Sequence, residues 1–200
     1  MSKRALPEIN AGSMADIAFL LLIFFLVTTT MDVDSGILKK IPPKQDAPAI
    51  EYKAKNTLEI YINRNNEVSV DDEIIDLGDL KTMALNFIDN GVGLDVEKNP
   101  CTWCKGKKDP TSSDHPKKAV IAIESDRLAT YETYVTVLDN VNSAYTVLRN
   151  RLALDLYNTS YTELMARLNN QPKDKEALLA KIKNIREKYP QLVSDIETDN

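Results

Sequence analysis

MADIAFLLLIFFLVTTTM, residues 14–31, is the one long apolar stretch of the chain, and it is apolar without interruption from Ile17 to Val27. At about 1.5 Å per helical residue, a helix over this stretch would be about 27 Å long, close to the hydrocarbon thickness of a bilayer. We therefore predict a single membrane-spanning helix. It is expected to stay uncleaved, because TTTMDVD follows the run where a signal peptide would carry a small-x-small site. One carboxylate, Asp16, stands where the run begins.

The residues on either side of this stretch indicate how the chain is organised. Two basic residues precede it and two acidic residues follow it, so the positive-inside tendency places residues 1–13 in the cytoplasm and the remainder outside. Residues 32–56 contain several prolines and mixed charge and are expected to form a periplasmic linker. Residues 57–200 are expected to form a periplasmic domain.

Hydrophobic periodicity predicts an α+β fold for that domain. Residues 57–70 alternate between apolar and polar side chains around a polar turn and read as a β-hairpin. The resulting architecture is a small sheet with helices on one face, followed by a helical C-terminal extension. The other predicted elements are a buried strand over 119–123, helices over 76–89, 131–156, 160–168 and 176–188, and a possible last strand over 191–196.

Composition limits the class of function. The net charge of -5 and the pI near 5.0, with no basic face evident, argue against nucleic acid as a partner. The sequence has no Ser–His–acid set and no phosphate-binding loop, so we expect no enzymatic activity and no cofactor. His115 lies in a polar stretch, the poorest place for a buried base.

The pair Cys101-Thr102-Trp103-Cys104 lies in a polar segment and has three interpretations. A thioredoxin-like motif needs a helix that begins at the first cysteine, but Pro100 precedes it and lysines and a glycine follow the pair. Zinc needs four ligands, and His115 supplies only a third, so no metal site is expected. A local disulfide in an oxidising compartment is the preferred interpretation, and so short a loop contributes about 2 kcal/mol.

Asp16 has two interpretations. At the start of a membrane helix, a carboxylate can accept hydrogen bonds from free backbone N–H groups and suits the positive end of the helix dipole. If the helix begins earlier, near Ala11 or Gly12, Asp16 lies within the bilayer instead. An acid that is neutral in lipid and ionised where water reaches it can carry a proton.

The N-terminal sequence resembles a known family. Glu8-Ile9-Asn10, five further residues and then Asp16 before a run of Leu, Ile and Phe look like the start of the ExbD/TolR family. These are proton-channel subunits that energise TonB or Tol–Pal systems. The strand–Asp–helix pattern from Ala119 through Asp126 to the helix at Tyr131 resembles the outer domain of that family.

The resemblance implies a mechanism and a set of partners. Asp16 would be the proton carrier, and Asn10 would belong to the partner-binding signature. The chain would act as a dimer, with its two spans inside a pentameric pore made by a multi-span ExbB-like subunit in the bacterial inner membrane. The outer domain would pass the motion to a TonB-like protein.

Several points stay open at the level of sequence. The apolar residues Ile37, Leu38 and Ile41 can add a strand to an exposed sheet edge, or they belong to a solvated spacer. A TolR-like role is an alternative to the TonB type, and a passive membrane-anchored periplasmic adaptor, with Asp16 only as a cap, is an alternative of another class. The Cys-containing insertion 97–118 and the long helical continuation after Arg149 both depart from the family pattern.

Overall fold

The computed structural model describes residues 11–29, 54–170 and 174–196. The chain divides into two compact units, Met1–Pro48 and Ala49–Asn200. The described part of the first unit is a helix, α1 (Ala11–Thr29).

The second unit contains a mixed five-stranded sheet within the described residues. The strands are β1 (Thr57–Ile62), β2 (Val68–Val70), β3 (Glu73–Ile75), β4 (Val120–Ser125) and β5 (Val193–Ile196). Their order across the sheet is β3-β2-β1-β4-β5. The first three strands along the chain form an antiparallel meander, whereas β4 pairs parallel with both β1 and β5.

Helices in the described part of this unit are α2 (Leu77–Ile88), α3 (Tyr131–Tyr157), α4 (Tyr161–Asn169) and α5 (Lys175–Lys188). Three of them begin at a side chain that accepts a hydrogen bond from a free backbone N–H, as helix N-caps commonly do. These caps are Asp76, Thr130 and Ser160. The predicted α+β class is confirmed.

The core lies between one face of the sheet and the helices. In β1, Leu58, Ile60 and Ile62 are buried, whereas Glu59 and Tyr61 between them are exposed. The buried set belongs to the same hydrophobic cluster as the buried residues of α2 and α3. The helices therefore cover one face of the sheet, and the period-two pattern of β1 follows from that arrangement.

A buried arginine of α3 attaches the C-terminal helices α4 and α5 to the rest of the unit. The Nε and Nη2 atoms of Arg149 donate to the carbonyl oxygen of Tyr189 at 3.1 and 2.8 Å. The guanidinium also lies between the rings of Tyr145 and Tyr161, 5.4 and 5.7 Å from their centroids. Burial lowers the pKa of Arg149, although the two tyrosines oppose that shift. The turn that leads into β5 is therefore fixed by α3.

Strand β3 is absent from the sequence-based prediction, which assigned no element between the hairpin and the helix that begins at residue 76. Asp71, Asp72 and Glu73 lie in that interval and would read as a turn. The structure confines the turn to the two aspartates, whose φ angles are +48° and +69°. Two consecutive positive φ angles are typical of a type I′ hairpin turn, in which Asp is well tolerated. The chain therefore reverses directly, and Glu73 already pairs with Val70.

This turn gives a first prediction. We expect Asp72→Ala to lower the free energy of unfolding by about 1 kcal/mol, because alanine resists the left-handed conformation. Asp72→Gly is the matched control and should be neutral or slightly stabilising, because glycine adopts positive φ without steric cost. Urea unfolding of both variants tests this, and equal losses would show that the backbone conformation is not the cause.

Candidate functional site

Asp16 lies inside α1 and not at its start. The helix begins at Ala11, and no acidic residue stands in its first turn. The free N–H groups of a helix belong to its first four residues, so the carboxylate of Asp16 does not cap α1. The helix therefore begins before Asp16, and the role of Asp16 as proton carrier stays a prediction.

Apolar side chains surround α1. From Met14 to Phe25, every residue that the structure describes is exposed, and the large apolar ones are 40–62% exposed. A helix that is hydrophobic on all sides needs a hydrophobic environment, whether lipid or other helices. Within the residues whose side chains are described, no helix is both long and apolar enough to cross a membrane.

The partner-binding residues predicted from the sequence lie outside the described residues. Asn10 lies just before the described part of α1, and Ile37, Leu38 and Ile41 lie between residues 29 and 54, outside the described residues. Their assignment therefore stays a prediction.

The two edges of the sheet are open in the described residues. At one edge, Ile74 in the middle of β3 is 69% exposed. At the other edge, Ser194, Asp195 and Ile196 of β5 are exposed. An edge strand can pair with an added extended segment.

The sheet face turned away from the helices carries an acidic groove of about 310 Å³. Its walls include the carboxylates of Glu59, Asp72 and Glu124, together with Tyr61 and Ile196. The register places Tyr61 beside Glu124 and Glu124 beside Ile196. This groove can accept cationic side chains of a partner, with apolar contacts between them.

A second cleft, of about 440 Å³, lies between β1, α2 and the polar insertion. Met83 and Phe87 lie on its apolar side, and Lys55, Lys107 and Asp109 are among the charged groups around it. These charges are of both signs, so the cleft favours no single class of ligand.

A disulfide between Cys101 and Cys104, whose Cα atoms are 5.6 Å apart, closes a short loop within the insertion. The backbone N–H of Cys104 donates to Cys101 Sγ at 3.1 Å. Between the two cysteines, Trp103 lies under Lys188 of α5, whose Nζ is 4.0 Å from the ring centroid. The disulfide loop therefore contacts the end of the C-terminal helix.

Amide side chains attach the insertion to the sheet and to α2. Asn56 donates to Asp114 Oδ2 at 3.2 Å and accepts from the Asp114 N–H at 2.7 Å. Asn90 binds the backbone of Asp109 and Ser113 through three hydrogen bonds of 2.7–2.8 Å. The polar composition of this segment thus reflects internal hydrogen bonds, and the insertion is an ordered part of the domain.

A buried charged network joins α2, α3 and the residue after α5. Asp89 Oδ1 accepts from Arg151 Nη2 at 2.7 Å and from the Tyr189 hydroxyl at 2.6 Å. Asp89 Oδ2 also accepts from the backbone N–H of Lys105 in the insertion. Burial and the neighbouring carboxylate raise the pKa of Tyr189. The network ties the insertion and the C-terminal extension to the core that carries the sheet.

His115 is fully buried, so the expectation from its polar surroundings was wrong. Its Nδ1 accepts from the Lys117 N–H at 3.1 Å, and its ring meets Trp103 edge to face at 5.5 Å. Nε2 has no hydrogen-bond partner within the described residues. Burial lowers the pKa of His115, Asp95 opposes the shift, and the two lysines at 117 and 118 add to it.

These contacts predict a pH dependence of stability. Because burial lowers the pKa of His115 in the folded state, the unfolded chain takes up a proton below about pH 6.5 more readily than the folded chain does, so stability should fall as the pH drops through that value. The nearby Asp95 does not titrate in this pH range, because hydrogen bonding, chiefly from the Asn99 N–H, lowers its pKa to about 2. We expect the melting temperature to fall between about pH 7.5 and about pH 5.5.

His115→Asn is the control for this prediction. Its amide oxygen can accept from the Lys117 N–H but does not titrate. The variant should be less stable at neutral pH because of the lost volume, yet its melting temperature should change less across the same pH range. An unchanged slope would assign the pH dependence to other groups.

The family model described as biopolymer transport protein ExbD/TolR matches residues 2–153. The chain belongs to the ExbD/TolR family. The match includes α1, strands β1 to β4 and most of α3, and it ends before α4. A comparison with curated proteins found no match to this chain.

Membership in the ExbD/TolR family fixes the broad role. The family consists of biopolymer transport proteins that are associated with the inner membrane and act as accessory subunits of membrane motors. They are transport accessory proteins and are not known as enzymes. The insertion lies within the matched region, whereas α4, α5 and β5 lie beyond it.

Proposed function

We propose that this chain is the single-span, proton-carrying subunit of an inner-membrane motor, and that Asp16 carries the proton. The observation that carries the proposal is that Asp16 stands past the first turn of a helix that is otherwise apolar on all sides. A carboxylic acid in such surroundings is costly unless it has a function. Family membership supports the same role.

In this proposal, the helical segment that contains Ile17–Val27 crosses the inner membrane once. Residues 1–13 face the cytoplasm and the domain after the linker faces the periplasm, as the flanking charges indicate. The exposed apolar side chains of α1 support this placement, because lipid and partner helices would cover them.

The proposed partners are those that the family resemblance implies. Two copies of the chain place their spans inside a pentameric pore formed by an ExbB-like subunit, where Asp16 is protonated from one side and deprotonated to the other. Each proton that moves through 100 mV releases about 2.3 kcal/mol. This free energy is available to move the two spans relative to the pore.

The outer domain passes the motion to an envelope protein, and we propose a TonB-like protein as that partner. The open edges at β3 and β5 support a strand-pairing contact, because each can bind an extended segment. In the linker, the apolar residues Ile37, Leu38 and Ile41 are a second candidate for strand pairing with this partner. A Tol-type pathway is the alternative for the same motor.

Replacement of the span tests the motor against a passive adaptor. We expect a chimera in which an unrelated apolar span replaces residues 11–29 to reach the membrane but not to restore energised transport to a deletion strain. The chimera should also fail to co-purify with the multi-span subunit in gentle detergent. A passive adaptor needs only an anchor, so full function of the chimera would contradict the proposal.

A further inference from the structure

The Cys101–Cys104 pair has two features that a purely structural disulfide does not need. The first is a hydrogen bond from the Cys104 N–H to Cys101 Sγ at 3.1 Å. Once the disulfide is reduced, this donor would stabilise a thiolate at Cys101. The second is partial exposure, because both cysteines are only half-buried. Exchangeable cysteines need both thiolate stabilisation and access to a partner thiol.

The two sulfur atoms differ in their surroundings. The backbone of Gly91, at φ +64°, packs against Cys104, and a Cβ atom at this glycine would lie 2.8 Å from Cys104 Sγ. On Cys101 the same Cβ atom would come no closer than 3.4 Å, and then to Cβ and not to the sulfur. The backbone at Gly91 therefore packs more closely on Cys104 Sγ than on Cys101, which makes Cys101 the easier sulfur for an incoming thiolate to reach.

The disulfide also holds the single tryptophan of the chain in place. Trp103 lies between the two cysteines, contacts His115 edge to face and lies under Lys188. Its Nε1 is buried and has no hydrogen-bond partner within the described residues. Because Trp103 stands between the two bonded cysteines, the closed loop restrains its backbone.

We propose that Cys101–Cys104 is a thiol–disulfide exchange site for a dithiol, and that its reduction releases Trp103 from His115 and Lys188. The natural reductant would be a protein dithiol of the C-x-x-C class. This assignment rests on the insertion alone and does not depend on the role of Asp16.

The exchange balances in two steps. A thiolate of the dithiol attacks Cys101 Sγ, the bond between Cys101 and Cys104 breaks, and Cys104 leaves as a thiolate that takes a proton from water. This step leaves a mixed disulfide between Cys101 and the first sulfur of the reductant. The second thiolate of the reductant then attacks that first sulfur. Cys101 leaves as a thiolate that the Cys104 N–H stabilises, and the reductant departs as a disulfide after it has given two electrons.

Reduction should not unfold the domain. A disulfide that closes so short a loop contributes only a small part of the free energy of unfolding of a folded domain. The insertion also keeps its hydrogen bonds through Asn56, Asn90 and Asp89. The result is a local change around Trp103 in a folded protein.

The first experiment treats the full chain in detergent with dithiothreitol at about 1 mM, without denaturant, and counts thiols by maleimide labelling. We expect two labelled thiols and a shift of tryptophan emission, with an unchanged far-UV circular dichroism spectrum. Emission from a Cys101→Ser, Cys104→Ser double variant should not respond to dithiothreitol. Labelling of the wild-type chain only after denaturation, or an unchanged emission, would overturn the proposal.

The second experiment separates the two sulfur atoms with a matched pair of single variants. In Cys104→Ser the free thiol is Cys101, and in Cys101→Ser it is Cys104. At about pH 7 we expect iodoacetamide to alkylate Cys101 about tenfold faster than Cys104, because the N–H of residue 104 stabilises the Cys101 thiolate. A thioredoxin-like protein that lacks its second cysteine, activated as a mixed disulfide, should be captured by Cys101. Equal rates, or faster reaction at Cys104, would exclude Cys101 as the exchanging sulfur.

Discussion

Asp16→Asn is expected to reduce energised transport to the level of a strain that lacks the gene, while the chain stays in the membrane and in its complex. Asparagine keeps the size and polarity of aspartate but cannot release or take up a proton. If the motor runs on protonation of this side chain, no partial activity should remain. Transport should be measured in a deletion strain that carries the variant at normal expression.

Two variants control for indirect effects. Asp16→Glu keeps a titratable carboxyl one methylene further from the backbone, so it should retain part of the activity. Asp32→Asn removes an acid that lies in the sequence just after the apolar stretch, and it should leave transport unchanged. Co-purification of Asp16→Asn with the pore subunit should match that of the wild type. Normal transport by Asp16→Asn would rule out its role as proton carrier.

Asp89→Ala should give the largest loss of stability among single changes in the outer domain, about 3–5 kcal/mol. The substitution leaves the partly buried Arg151 and the fully buried Tyr189 hydroxyl without the carboxylate that binds them at 2.7 and 2.6 Å. Denaturant unfolding followed by the emission of Trp103 measures the loss, because this single tryptophan lies in the insertion that Asp89 helps to hold.

Asp155→Ala is the matched control for Asp89→Ala. Asp155 pairs with Lys105 at 2.7 Å, but its side chain is half exposed, so its loss should cost less than about 1 kcal/mol. A double-mutant cycle adds a second check, since Asp89→Ala should cost less when Arg151 is already methionine and no unpaired charge remains. Equal losses for Asp89→Ala and Asp155→Ala would show that burial does not strengthen the network.

Features that depend on near neighbours in the chain could be predicted from the sequence. The helix over residues 131–156 is confirmed as α3, because its apolar spacing and its N-terminal cap are both local. The hairpin of β1 and β2 follows in the same way from alternation and a polar turn. At the N-terminus, the spacing from Asn10 to Asp16 indicated the ExbD/TolR family, which the match over residues 2–153 confirms.

Features that depend on distant parts of the chain could not be predicted. Strand β3 is only three residues long, and it forms because a two-residue turn brings it beside β2. The bond between Asp89 and Tyr189 joins residues one hundred positions apart. Neither feature leaves a periodic pattern in the sequence, because each depends on contacts between different elements.

The sequence by itself determined the apolar stretch around Asp16, the order of the main elements and the family. The tertiary structure alone decided that the polar insertion is packed, that His115 is buried inside it and that β5 lies beside β4. The physical reason is that polarity along a segment shows only that its groups need hydrogen bonds. Whether water or other residues provide them depends on what the fold brings alongside, as Asn56 and Asp114 illustrate.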